Sequence, residues 1–179
     1  FKASKDNVIH EVSAWSCQHQ LVLGQVKTQD KSNEITAIPE LLKLLDIQGA
    51  VVTIDAMGTQ KNIAACIVEK QADYVLALKG NHSTLHQDVG DYFDYINKQA
   101  NPTDFITDSY EDIDKGHGRL EIRRCQVVEN IEWLEGKEQW AGLCSLVKIH
   151  STTEHLLDGH ISEDIRYYIS SLSRSAKDM

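Results

Sequence analysis

The sequence predicts an α/β fold that continues into an antiparallel, β-rich segment, and three observations point there. Ala50-Val51-Val52-Thr53-Ile54 is a short apolar run that closes on Asp55, turns at Gly58 and opens into an amphipathic helical pattern. Asp73-Tyr74-Val75-Leu76-Ala77-Leu78-Lys79 is a second run of the same kind, so strand, helix and strand form a right-handed βαβ unit with parallel strands. Beyond residue 100 the texture changes to short alternating runs separated by turn-like residues, which suits antiparallel pairing. Continuous apolar runs fit strands buried on both faces. Parallel strands bring their carboxyl ends to one edge, where open α/β sheets place ligand crevices. Asp55 stands at that edge, able to hold a metal ion or simply to cap the next helix. Lys79 becomes its candidate neighbour.

The elements follow in order. Residues 8–17 and 20–28 read as two strands parted by the polar Gln18-His19, a hairpin. After the polar break Thr28–Lys31, Ser32 can cap a helix with Glu34 in its first turn. Ile35, Ile38, Leu41, Leu42 and Leu45 repeat at helical spacing, and Pro39 predicts a kink or a helix starting afresh there. From Thr59, the residues Ile63, Ala64, Ile67 and Val68 mark the next helical face. Gly80-Asn81 ends the second buried strand, a helix covers about 82–98, and Asn101-Pro102 stops it. Strands are then expected at 105–111, 119–128, 143–150 and 161–171, with turns at 114–118, 135–137 and 157–159.

Composition narrows the function classes. At 179 residues, 41% hydrophobic and 25% charged, the chain can bury a proper core. No apolar run approaches the ~20 residues of a membrane span and no signal-peptide pattern is present, so a cytoplasmic protein without a membrane partner is expected. Starting at Phe1, the chain looks cut from something longer. Cys17, Cys66, Cys125 and Cys144 form no CxxC pair and read as buried free thiols. The net charge of −9 argues against a whole surface devoted to phosphate backbones, while leaving room for a local basic site.

That local site is Lys115–Arg124. On a strand, Arg119, Glu121 and Arg123 share one face. Two readings fit: a solvated face of weak Arg–Glu pairs, or a phosphate contact in which Glu121 orients both guanidiniums. Lys79 is either a strand-end lysine reaching water or a phosphate contact beside Asp55. Gln60 and Asn81 are placed to donate to the same backbone. His82 and His86 stand four apart without an obvious third ligand, which favours a structural role, as for His150, His155 and His160. Ser170-Ser171 lacks a glycine elbow, and Gly116-His117-Gly118 lacks the context of a dinucleotide loop; Gly118 suits a turn. Trp15, Trp133 and Trp140 read as core, with Trp140 the one partly exposed.

Hairpin, helix, strand ending in Asp, helix, strand resembles the middle of a ribonuclease H-like topology. The residues carry the resemblance further: Val12-Ser13-Ala14-Trp15, Leu23-Gly24-Gln25, Lys31–Ile35, Ala37-Ile38-Pro39, Thr53–Gln60, Asp73–Asn81, Gly116–Arg119 with Glu121 and Arg123, and Tyr167–Leu172. In order and over nearly the whole chain, they are similar to the H-repeat-associated family of bacterial insertion-sequence transposases of the DDE type. The resemblance implies an α/β, ribonuclease H-like mixed-sheet core over residues 1–100, its first strand absent, followed by a β-rich insertion over 101–179. It implies a protein that cleaves DNA and transfers strands with Mg²⁺ or Mn²⁺ held by three acids, of which Asp55 is the second. The first Asp falls before Phe1 and the Glu after Met179, so this chain alone is expected to be inactive. Where the family pattern has Gln after Gly80-Asn81, this sequence has His82. The missing strand exposes edges, which predicts either direct pairing of residues 8–17 with the Asp55 strand or a homodimer through the gap. The rival expectation is a non-catalytic remnant serving protein or DNA contact.

Overall fold

The computed structural model describes residues 10–28 and 34–179. Residues 8 and 9 of the first expected strand and the Ser32 cap lie outside the described residues. The hairpin is present as β1 (His10–Ser16) and β2 (Leu21–Thr28), antiparallel with a bulge between Ala14 and Trp15. Helix α1 (Glu34–Leu44) follows. Strand β3 (Val51–Ile54), α2 (Lys61–Glu69) and β4 (Asp73–Leu78) form the expected βαβ unit with parallel strands. After α3 (Ser83–Asn97) come β5 (Asp108–Gly116), β6 (Arg119–Val128), β7 (Ser145–His155) and β8 (Ile161–Ser170), all paired antiparallel in sequence order.

The result is a mixed α/β architecture with a six-stranded sheet in the order β3-β4-β8-β7-β6-β5 and a separate two-stranded sheet. Strand β8 returns to pair antiparallel with β4, so the β-rich segment continues the same sheet. Two serine hydroxyls stitch that join: buried Ser170 Oγ donates to the Tyr74 carbonyl at 2.9 Å, and Ser171 Oγ accepts from the Tyr74 N–H at 2.9 Å. One face of the sheet is covered by helices. There Tyr74, Leu76, Leu146 and Ile169 meet Ile63 and Ile67 of α2 and Val89, Phe93 and Ile96 of α3, all fully buried. Each of the Val, Leu, Ile and Phe side chains among them is worth about 1.5–3 kcal/mol of transfer free energy.

Several expectations are corrected. Helix α1 runs unbroken through Pro39. The ring costs one backbone hydrogen bond, offset by burial of Ala37, Leu41 and Leu42 on the same helix. Strand β3 is not buried on both faces: among the described residues it is an edge strand, with Val51 and Thr53 exposed. The hairpin does not pair with β3. It rides on α1 instead, with Gly24 against Leu41 and Leu45, and β1 pairs only with β2 among the described residues. Strands β5 and β7 extend several residues beyond the expected 111 and 150. His150 consequently sits inside β7, with Nε2 3.4 Å from Glu163, rather than in or beside a loop.

The tryptophans are reversed. Trp140 is buried in the main core, whereas Trp15 is 58% exposed on the outlying hairpin. Trp133, 36% exposed, packs against the Tyr92 ring. The thiols are free, yet Cys17 is exposed and the other three are only partly buried. Burial pushes the Cys125 thiol up to about 11 and raises that of Cys144, so neither is a ready nucleophile.

Candidate functional site

The end of β3 builds the site. Asp55 leaves the strand in extended conformation and caps the short 3-10 turn Ala56–Gly58. Its Oδ1 accepts from the Met57 N–H at 3.2 Å and the Gly58 N–H at 3.4 Å. The capping expectation is met on this 3-10 turn and not on α2, whose N-cap is Gln60. Oδ1 caps, while Oδ2 has no hydrogen-bond partner among the described residues, and the side chain is exposed. Gly58 is required by space, since a Cβ there would lie 2.3 Å from Ile54 Cγ2.

The turn is gripped from the neighbouring strand. Thr59, fully buried, donates its hydroxyl proton to the Ala77 carbonyl at 2.6 Å. Lys79 follows the last residue of β4, Leu78, and opens the 3-10 turn Gly80–His82. Asn81 Nδ2 donates to the Ala56 carbonyl at 2.5 Å, and His82 Nε2 lies 2.6 Å from the Thr59 carbonyl. An acceptor carbonyl fixes that ring nitrogen as the protonated one. Gln60 turns its amide back onto the Met57 carbonyl at 3.3 Å. His86 is set edge-on to Tyr167, apart from any cluster of metal-binding side chains among the described residues.

Asp55 and Lys79 line one cleft of about 480 Å³, together with Arg166 and Tyr168 of β8. They form no ion pair with each other. Arg166 was missed at the level of sequence, because its relation to Asp55 exists only through the β4–β8 pairing. Its Nε donates to Asp164 at 2.6 Å, and that bond and charge hold the guanidinium firmly protonated.

Register places the remaining candidates. Ala77 pairs with Tyr168, Ile149 with Arg166, Ser151 with Arg123 and His155 with Arg119. Directly paired residues share a face, so the cleft, Arg123 and Arg119 all occupy the face without helices. Arg119 stands six β7 residues beyond the Arg166 row, about 20 Å along the strands. The pairing of Glu121 with Arg123 is present at 2.7 Å; no bond from Glu121 to Arg119 accompanies it. Arg124 points to the opposite face and binds Glu111.

A divalent cation fits this donor set in part. One exposed carboxylate with a free oxygen supplies a single hard ligand, and among the described residues no group of three His, Cys, Asp or Glu could complete a cage. Mg²⁺ commonly takes only one or two carboxylates, with waters and phosphate oxygens filling the octahedron.

Comparison with known proteins gives the family. The model of the transposase DDE domain matches residues 4–179. "Putative transposase YncI" of Escherichia coli O157:H7 is 43% identical over 99% of this chain and 45% of its own. "H repeat-associated putative transposase YhhI" of Escherichia coli K12 is 41% identical over 98% of this chain and 46% of its own. An "Uncharacterized protein in dhlA 3'region" of Xanthobacter autotrophicus is 42% identical over 95% and 55% respectively. The chain spans about half the length of the curated relatives it matches. It belongs to the transposase DDE domain family.

Proposed function

We propose that this chain is the central part of a metal-dependent transposase that cleaves DNA and transfers the freed strand, with Asp55 as one of its metal ligands. The single observation that carries the reading is the exposed Asp55, with Oδ2 unbonded among the described residues, in the lining of the cleft shared with Lys79 and Arg166. Mg²⁺ or Mn²⁺ held there with two further acids would stabilise the entering and leaving oxygens of an in-line displacement. In the first step a water oxygen bonds to phosphorus and the bond to the 3′ oxygen breaks, leaving a 3′-hydroxyl. In the second, the oxygen of that hydroxyl bonds to a target phosphorus while the target's own bond from phosphorus to its 3′ oxygen breaks, and a proton passes by way of solvent to the released target 3′ oxygen. Lys79, Arg166 and Arg123 neutralise phosphate along the open face, and Arg119 extends the track to the turn between β5 and β6. Gln60 lies at the same edge as a donor to the DNA backbone, whereas the Asn81 amide is spent on the Ala56 carbonyl.

The order of elements around Asp55 supports a ribonuclease H-like core over residues 1–100, with 101–179 as the insertion that broadens its DNA-facing side. Residues 1–179 alone, carrying one acid of three, are inactive in this reading. Asp55→Asn tests it. The amide oxygen retains both cap hydrogen bonds, so the full-length protein should melt within about 1 kcal/mol of wild type. Loss of the carboxylate charge should abolish DNA cleavage with Mg²⁺ and with Mn²⁺. Cleavage at the wild-type rate by the folded variant overturns the assignment.

A further inference from the structure

We infer that the Gly80–His82 turn is a clasp that positions the Asp55 carboxylate, with Asn81 and His82 as positioning residues for the chemistry proposed above. The carboxylate is held by two N–H groups, those of Met57 and Gly58. The clasp grips the chain on either side of that pair. Asn81 takes the Ala56 carbonyl and His82 takes the Thr59 carbonyl. Thr59 is tied in turn to Ala77 on β4, the strand that leads into the clasp. Two short turns at the ends of two parallel strands are therefore fastened to each other, and the cleft lysine, Lys79, stands at the base of the second.

His82 is itself pre-set. Its ring meets the buried Trp140 edge-on, with centroids 5.3 Å apart at 72°. A ring held by packing on one side and by a carbonyl on the other has little rotamer freedom left to lose. This is the kind of supporting shell that keeps a functional side chain within productive geometry. The chemistry needed at position 82 is one N–H donor reaching the Thr59 carbonyl. Glutamine Nε2 stands the same number of bonds from Cα as histidine Nε2, so either side chain supplies it. Alanine cannot. A misplacement of about 1 Å at a reacting centre costs on the order of 100-fold in rate, which sets the scale of the effect.

The inference rests on Asp55 being a metal ligand, and the test separates the two ideas. In the full-length protein, His82→Ala, His82→Gln, Asn81→Ala and Asp55→Asn are compared by kcat and KM for DNA cleavage and by amide exchange of Met57 and Gly58. His82→Ala and Asn81→Ala should lower kcat roughly 10- to 100-fold, leave KM for DNA unchanged and speed exchange at those two amides while β4 stays protected. His82→Gln should restore both readouts. Wild-type kcat in folded His82→Ala, or failure of folded His82→Gln to restore it, overturns the clasp. Should His82→Ala not fold, Asn81→Ala decides by the same criteria. Should Asp55→Asn cleave normally, the metal-ligand reading falls, and unchanged Met57 and Gly58 exchange in His82→Ala or Asn81→Ala overturns the clasp on its own.

Discussion

Gly58 shows how little room the acidic turn has. A methyl group there would meet Ile54 Cγ2 at 2.3 Å and Ile38 Cδ1 at 2.8 Å. The Ile54 branch sits next to the backbone and cannot swing aside as a chain end would. Gly58→Ala is expected to cost about 1–3 kcal/mol by overpacking, read as a lower urea midpoint; an unchanged midpoint would contradict the crowding. Asp55 and this glycine were legible in sequence because a carboxylate and a turn residue after an apolar run have few other uses. Thr59 was not. Its hydroxyl is spent on a carbonyl eighteen residues away, and no spacing rule names that partner. His82 is the same case: its two neighbours, Thr59 and Trp140, come from different parts of the chain.

Elements were legible where burial alternates cleanly and blurred where both faces are wet. Strand β6 has the expected bounds, since Leu120, Ile122 and Val128 punctuate its charges. The distal half of β5 is exposed on every residue, so Glu111–Lys115 carries no hydrophobic period to read. What ends β5 is backbone chemistry. His117 and Gly118 both lie at positive φ, 50° and 75°, between the paired Gly116 and Arg119. Two left-handed residues in a two-residue loop match the twist of the strands, and Asn-Gly suits such a turn best. His117→Asn should therefore stabilise the hairpin by a few tenths of a kcal/mol, while Gly118→Val should cost about 1–2 kcal/mol. Thermal melts of the two variants shifting in the same direction would sink this account of the turn. Helix α1 was misread for the opposite reason: the Pro39 rule is local, whereas burial of Leu41 and Leu42 is not.

For the whole molecule, the parallel pairing of β3 and β4 followed from handedness, but the sheet order did not. Nothing in the alternating runs after residue 100 said that the last strand would be the one to join β4. The same order leaves the outer edge of β3 unpaired among the described residues, with Val51 40% exposed, and the hairpin apart from it. An open edge of that kind is a template for another strand. Residues 1–179 are accordingly expected to associate at micromolar concentration, and Val51→Lys should return them to monomers. Sedimentation showing wild-type monomers across that range would rule the association out.

The β4–β8 join also sets a clock. Ser170 and Tyr74 are 96 residues apart, so on a ribosome adding about 5–20 residues per second the inner flank of β4 waits some 5–20 s for its partner. Throughout that interval Val75 and Leu76 have no β8 beside them, and contacts of such long loop closure form slowly in any case. Nascent chains of this protein should be most vulnerable to chaperone capture and proteolysis between the emergence of β4 and that of Tyr167–Ser170.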